Sequence, residues 1–459
     1  MSDPGREAII QAAPDGRGSN EALERIVLWK VSLRLLPFLF VLYVVNILDR
    51  VNVAIARWQM LPDLGLEGDR AEEVYGLGFG IFYIGYVLFE VPSNLLLHRV
   101  GARFWVSRIM VSWGIISAAM IYVRGPASLY ALRFLLGVAE AGFFPGIILY
   151  LSYWFPARQR ARAVAIFMMA SPVAGLVGNP VSGAILEYLS GTGGLAGWQW
   201  LFLLEGIPSV VLGFCVWFYL SDRPEQARWL TPPEREWLVA HLSGEAKRRD
   251  EHHGLSRLSA LANPRVWHLI ALYFTVATAA GGFASYAPTI VKGQFRGLSD
   301  FTISVLTAIP SAAAMVGMVV IGIHSDRTGE RRRHVAASAF LGAVGWVLAA
   351  ATDDSRLVLL GLVLAQVGIM SMLPIFWALP TSFLGGAAAA GGIALINSVG
   401  NLGGFWGPYV MSQLAVATHS DTGGTIVSYT GGMKVMAWTL GLGGLLALCL
   451  RQDSTSRAQ

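Results

Sequence analysis

LRLLPFLFVLYVVNILDRVNVAIA, residues 33–56, decides the fold. An apolar run of this length crosses about 30 Å of hydrocarbon as a helix, yet its interior carries the adjacent pair Asp49-Arg50. Each charge at that depth costs roughly 2.5–3.5 kcal/mol even on lenient insertion scales, so such residues persist where they do something. A second pair lies in the apolar stretch 128–155, where Arg133 and Glu140 are seven residues apart. On a helix that is two turns along one face, about 10 Å of rise. Two acid–base pairs among apolar helices are the chemistry of a carrier for ions and protons.

The rest of the chain has the same character. It is 459 residues long, 54% hydrophobic and only 14% charged, a membrane composition and not that of a soluble core. Windows of about 20 apolar residues predict about twelve spans, near 33–56, 74–97, 104–123, 128–155, 162–187, 198–220, 266–291, 300–323, 335–351, 357–382, 388–415 and 432–450. The polar start, Met1 to Asn20, lacks the apolar core and cleavage site of a signal peptide and reads as a cytoplasmic tail. The net charge of +5 is distributed as topology dictates. Arg25, Lys30 and Arg34, then Arg99 and Arg103, then Arg158, Arg160 and Arg162, then the segment Ser221 to Pro264 and the turn Arg327 to Arg333 alternate with loops poorer in Lys and Arg. The positive-inside rule then sets both termini and the central segment in the cytoplasm of a multi-pass inner (plasma) membrane protein. Basic rims of this kind argue for a lipid bilayer, not nucleic acid, as the partner.

The chain also repeats. Arg99, Gly101, Arg103, Gly175 and Pro180 recur as Arg327, Gly329, Arg331, Gly403 and Pro408, each at the same offset of 228. The expected organisation is a cytoplasmic tail (1–25), a six-helix bundle (26–221), a charged, proline-bearing cytoplasmic linker (222–264), a second six-helix bundle (265–450) and a short cytoplasmic tail (451–459). An all-α membrane fold of two pseudo-symmetric six-helix bundles, with a substrate site between them near the midplane, is a recognised transporter plan.

The repeated turn is the sharpest motif. Gly322-Ile-His-Ser-Asp326-Arg327-Thr-Gly329-Glu-Arg331 resembles the loop signature of the major facilitator superfamily; the first-half copy, Asn94 to Arg103, keeps Arg99, Gly101 and Arg103 but has Asn94 for the first Gly and His98 for the Asp. Short turns need Gly for positive φ, and Arg can bond helix-end carbonyls and a neighbouring acid, so these residues form a candidate latch between inward- and outward-facing states. From about Leu33 to Leu450 the chain resembles the anion:cation symporters of that superfamily, most closely the bacterial phthalate and tartrate permeases. Leu48 to Ala54, Gly85 to Asn94, Arg133 to Gly146 and Tyr153 to Arg158 carry the resemblance.

That resemblance implies proton-coupled symport of a small organic carboxylate. It places the substrate-binding arginine on Arg50, the adjacent proton-titrating acid on Asp49, the fourth-helix pair on Arg133 and Glu140, a cavity-facing tyrosine on Tyr83, an asparagine on Asn397 and, more loosely, a tryptophan on Trp377. For the charged residues, physical chemistry supplies a reason beside the resemblance. Arg stays charged amid lipid and offers a planar fork to a carboxylate. A carboxyl group beside it, away from bulk water, feels opposing influences and can switch protonation. The expectation is that ionised Glu140 holds Arg133, and that protonation frees Arg133 to bind substrate or to permit closure, with Asp49 adding a second proton.

Other residues receive plainer readings. Gly76, Gly78 and Gly80 open an apolar helix with no preceding strand, so they serve close helix packing and not phosphate binding. Glu90 and Glu205 are expected to partner neighbouring helices. Cys215 and Cys449 stand alone and are expected to pack, and His252-His253 lacks a third metal ligand. Phe167-Met168-Met169-Ala170 is less polar than a many-hydroxyl sugar acid requires, which tilts the cargo towards a small or aromatic carboxylate. No nucleophile–base motif of a hydrolase and no Gly-x4-Gly-Lys-[Ser/Thr] nucleotide loop occurs, so neither enzymatic activity, a cofactor, a metal nor ATP drive is expected. A proton-coupled exporter of the same superfamily is the alternative, and a monomer suffices for alternating access.

Overall fold

A computed structural model describes residues 16–252, 263–380, 386–419 and 425–450. The expected residues 1–15 of the first tail, His253 and the tail 451–459 lie outside that set. The first span comprises α1 (Gly16–Val51) and α2 (Val53–Asp63), meeting at Asn52. It already begins within the stretch assigned to a tail, because nothing from Gly16 onward breaks the helix. Then come α3 (Gly68–Val100) and α4 (Ala102–Ala119), the broken fourth span α5 (Pro126–Glu140) and α6 (Phe143–Ser152), the broken fifth span α7 (Ala157–Met168) and α8 (Ala170–Tyr188), and α9 (Gly197–Tyr219). The linker carries α10 (Pro232–His252). The second half has α11 (Pro264–Gln294), α12 (Asp300–Thr328), α13 (Arg331–Ala350), α14 (Ser355–Ala378), the broken eleventh span α15 (Gly386–Gly400) and α16 (Leu402–Gln413), and α17 (Thr430–Cys449).

Among the described residues eleven helices are long and apolar enough to cross a membrane. The twelfth expected span, 388–415, is present as α15 and α16, each too short to qualify alone. Beyond the all-helical expectation, an antiparallel pair, β1 (Val416–His419) and β2 (Thr425–Ser428), leads from α16 to α17.

In the first half α4 packs on α9 and α3 on α5; in the second, α13 packs on α14 and α17, and α11 on α16. The halves meet along α3 with α16 and α8 with α12. Small residues permit the approach: a Cβ on Gly76 would lie 2.2 Å from Ser412 Oγ, and one on Gly80 2.8 Å from the Phe405 ring. Association of helices in lipid relies on such contact, since lipid tails are as apolar as leucine. Phe218 and Trp438 are each 80% exposed, as suits a molecule whose surroundings are themselves apolar. Cys215 and Cys449 are exposed too, so they face outward and do not pack inside.

On the linker side Lys30 pairs with Glu234, whose Oε2 also accepts from Thr231 N–H (3.0 Å). Burial raises the Glu234 carboxyl, but the Lys30 bond and the Thr231 amide outweigh it and hold the group below the usual glutamate range.

Candidate functional site

The last turn of α1 carries Asp49 and Arg50. Successive side chains on a helix point about 100° apart, and the two diverge completely. Asp49 turns into its own bundle: Trp113 Nε1 donates to Oδ2 (2.8 Å), Ser117 Oγ to Oδ1 (2.8 Å), and Ser209 Oγ to Oδ2. Arg50 turns towards α3 and α5, where Nε (2.9 Å) and Nη2 donate to Glu140 Oε1. Its guanidinium lies 5.2 Å and 5.3 Å from the rings of Phe82 and Tyr86.

The pairing expected from spacing is thus exchanged: Glu140 holds Arg50 and not Arg133, and Asp49 does not balance Arg50. Helical side chains lean towards the N-terminus, so Arg133 reaches away from Glu140, seven residues downstream. Glu140 is the last residue of α5, and the chain breaks behind it through Ala141 (ψ 130°) and Gly142 (φ +85°). Only glycine takes that φ readily, and a Cβ there would also strike Ser93 Oγ at 2.4 Å. Arg133, fully buried, donates from Nε to Gly78 O (3.2 Å), from Nη2 to Phe79 O (3.4 Å) and from Nη1 to Arg50 O (3.3 Å). It makes no ion pair among the described residues. Glu140 Oε2 is buried and accepts no hydrogen bond there. Arg50 therefore holds the Glu140 carboxylate, while the buried Arg133 guanidinium is held by backbone carbonyls alone.

Tyrosines flank this centre. Tyr86 lies against Arg50, and Tyr83 packs edge-on to Phe82, which also lies against Arg50. Tyr83 spans the interface, its ring lying where a Cβ on Gly404 would be 2.3 Å away. Trp377 packs against Tyr273 at 5.0 Å and 63°. Phe167 is buried and stacks on Tyr43 at 4.4 Å. Asn397 is engaged elsewhere: its Nδ2 donates to Glu90 Oε1, and Ser398 Oγ to Glu90 Oε2 (2.9 Å). Glu90 thereby bridges the halves, a helix partner as expected, and Glu205 likewise accepts from Ser182 Oγ (2.6 Å).

A third charge cluster escaped the sequence reading. Arg57 Nη2 binds Glu72 Oε1, which also accepts from Tyr429 OH (2.9 Å) in the second half. The Arg57 guanidinium lies 3.8 Å from the Tyr75 ring, and Tyr75 OH donates to Ser285 O (2.7 Å) across the interface. Arg57 sits seven residues after Arg50, on the same helix face, which was the available signal. Glu72 was hidden among loop acids because α3 starts at Gly68, earlier than hydropathy shows. The Arg50–Glu140 centre lies between this layer, on the side away from the linker, and the Glu90 layer towards it.

The repeated turns are built unequally. Gly101 (φ +94°) and Gly329 (φ +68°) take the positive φ expected of them, but Gly322 lies inside α12 without it. Arg103 N–H donates to Asp222 Oδ1 (2.8 Å), and its side chain binds Trp217 O at the end of α9. Arg331 Nη1 donates to Ala378 O (3.1 Å) at the end of α14. Arg99, Asp326 and Arg327 are exposed.

Comparison with known proteins agrees with this architecture. Residues 39–408 match the Major Facilitator Superfamily. The chain is 47% identical to an Agrobacterium vitis protein provisionally named a tartrate transporter, over 96% of this chain and 94% of that one. It is 39% identical to a quinolone resistance transporter of Acinetobacter baumannii, over 93% and 94%. A solved bacterial homologue of the human lysosomal transporter Spinster, inward-facing and occupied, superposes with a TM-score of 0.69 over 90% of this chain and 95% of that one, at 16% identity. With two six-span halves around a buried charge centre, and relatives that are transporters along nearly their whole length, this multi-pass membrane chain is a transport protein and belongs to the major facilitator superfamily.

Proposed function

We propose that the chain carries a small organic carboxylate together with a proton, by rocking its two halves around the Arg50 centre. The observation that carries this reading is the fully buried Arg133 guanidinium, bonded to backbone carbonyls and in no ion pair among the described residues, beside the Arg50–Glu140 pair. An unpaired buried cation is expensive, and an anionic cargo offsets it. Ionised Glu140 occupies the Arg50 fork. A proton delivered to its free Oε2 releases that fork to a carboxylate of the cargo, while Arg133 adds attraction from behind. Proton and anion then travel together as a nearly neutral load, which crosses a low-dielectric interior at lower cost than either alone. Tyr83 and Tyr86 supply hydroxyl groups for the rest of the cargo.

Asp49 has a different part. All three of its partners donate, and an indole N–H can do nothing else, so the cage suits the carboxylate form and fixes the end of α1. Rocking requires the Arg57–Glu72–Tyr429 layer and the Glu90–Asn397 layer to open alternately.

The test is uptake by proteoliposomes with an alkaline lumen, offered tartrate-like, phthalate-like and aldonate-like acids in competition. Accumulation of a tartrate- or phthalate-like acid that collapses with the pH gradient is expected. If no carboxylate accumulates and preloaded vesicles instead expel ligand as protons enter, the chain is an exporter; the relative named for quinolone resistance makes that the second reading.

A further inference from the structure

Far from the charge centre, on the linker side, α1, α9 and the loop before α10 line a shallow, open depression of about 340 Å³ formed by Trp29, Lys30, Leu33, Arg34, Tyr219 and Trp229. Arg34 is its distinctive member. Its guanidinium is sandwiched 4.5 Å from the Tyr219 ring and 5.2 Å from the Trp229 ring, and its Nε is buried without a hydrogen-bond partner. No carboxylate pairs with it among the described residues, whereas the Lys30 charge is already shared with Glu234. The rings are held in place from behind: Tyr219 OH donates to Arg34 O (3.0 Å), and Trp229 stacks on the buried Trp154 at 5.5 Å.

Tyr219 also belongs to a second depression of about 530 Å³ on the outer face of α9, whose lining is otherwise apolar and includes Val211, Phe214 and Phe218. Phe214 and Phe218 are 58% and 80% exposed, facing the surroundings of the bundle. From Tyr219 back to Val211 the groove follows α9 for about 12 Å into the depth of the membrane. A cationic pocket at the rim thus continues directly into an apolar groove.

We infer that these two depressions form one binding site for an anionic phospholipid, its phosphodiester on Arg34 and an acyl chain along Val211, Phe214 and Phe218. A soluble anion would leave the groove unused. A choline lipid is disfavoured because the aromatic rings that would take its ammonium group already hold the Arg34 guanidinium. Basic pockets at a membrane surface are suited to acidic head groups. Because Trp229 belongs to the linker and Arg34 to α1, the bound lipid would clamp the linker onto the first half.

The experiment is native mass spectrometry of the delipidated full-length protein with added phosphatidylglycerol or phosphatidylcholine in neutral detergent. Wild type is expected to retain phosphatidylglycerol about tenfold over phosphatidylcholine, one power of ten in affinity. Arg34→Gln is expected to bring that ratio to about one while leaving ligand-induced thermal stabilisation intact. Should that variant fail to fold, Trp229→Ala, which alters only the linker side of the sandwich, is expected to lower the ratio several-fold. Equal retention of both lipids by wild type, an unchanged preference in a folded variant, or displacement of the lipid by millimolar inorganic phosphate would overturn the inference.

Discussion

The two halves share a repeat and a helix count, yet they divide the chemistry. Buried charge among the described residues of the bundles belongs to the first half: Asp49, Arg57, Glu72, Glu90, Arg133, Glu140 and Glu205. The second half buries only neutral polar groups, among them Thr275, Ser285, Gln366, Asn397 and Ser398. The second half nevertheless bonds to the two outer charge layers, through Tyr429 on Glu72 and through Asn397 and Ser398 on Glu90. One bundle buries charged side chains and the other meets them with neutral hydrogen-bonding groups. Such bonds can break and re-form as the halves move without stranding a second charge in lipid.

The strongest way to break this contrast is Arg50→Gln. Removing one partner of a buried, hydrogen-bonded charge pair costs about 2–5 kcal/mol, thirtyfold or more in Kd. Carboxylate binding measured by calorimetry is expected to fall accordingly, while a substitution of similar size at Thr275 in the second half leaves it within a fewfold. Unchanged affinity in Arg50→Gln would remove the ion-holding role of the first half.

Next comes the contrast inside the first half. Glu140→Gln is expected to abolish accumulation driven by a pH gradient and to preserve gradient-free exchange. Asp49→Asn is expected to lower the amount of folded protein while any protein that folds still accumulates cargo. Loss of coupling in folded Asp49→Asn with coupling retained in Glu140→Gln would reverse the two assignments.

Smaller effects should follow at the bridge between the halves. A hydrogen bond to a charged group contributes about 1.5–3 kcal/mol, so Glu90→Gln and Asn397→Ala should each change the transport rate by about tenfold, and the double variant should be non-additive because the residues share one bond. Additive losses would mean that Asn397 acts on the cargo and not on Glu90.

The smallest expected effect concerns the linker. The Lys30–Glu234 pair is partly solvated and contributes below about 1 kcal/mol. The folded-state Glu234 carboxyl lies below its ordinary value of 4.5. Its contribution is therefore complete above about pH 4.5 and disappears as pH falls through the lower, folded value. Thermal unfolding of Lys30→Gln should differ from wild type near pH 6 and converge with it below pH 4; a constant difference would show that the pair is not the cause.

Much of the fold was legible, because lipid imposes a simple code. Apolar length marks a span, and Gly329 and Gly101 mark turns through their φ. Helix breaks were less legible. Asn52 interrupts its span with ordinary helical dihedrals and no local signal, whereas the break at Met169 precedes Pro172, which has no N–H to give the Met168 carbonyl. The site was legible as a set of residues and not as a set of pairs. Arg50, Arg133 and Glu140 lie together, but the seven-residue spacing of Arg133 and Glu140 gave an axial distance without the direction in which each side chain leans.

Apolar length, residue type and the 228-residue repeat suffice to set charges at membrane depth, to name the spans that carry them and to imply two related bundles around them. That Glu140 answers Arg50, that Asp49 turns away into three donors, and that Glu90 and Glu72 reach across to the other half follows from how the helices pack. Apolarity is a property of a segment and survives in one dimension. An ion pair depends on distance and orientation between helices, and these are set by the break at Gly142, the N-terminal lean of side chains and the close approach that Gly76 and Gly80 permit.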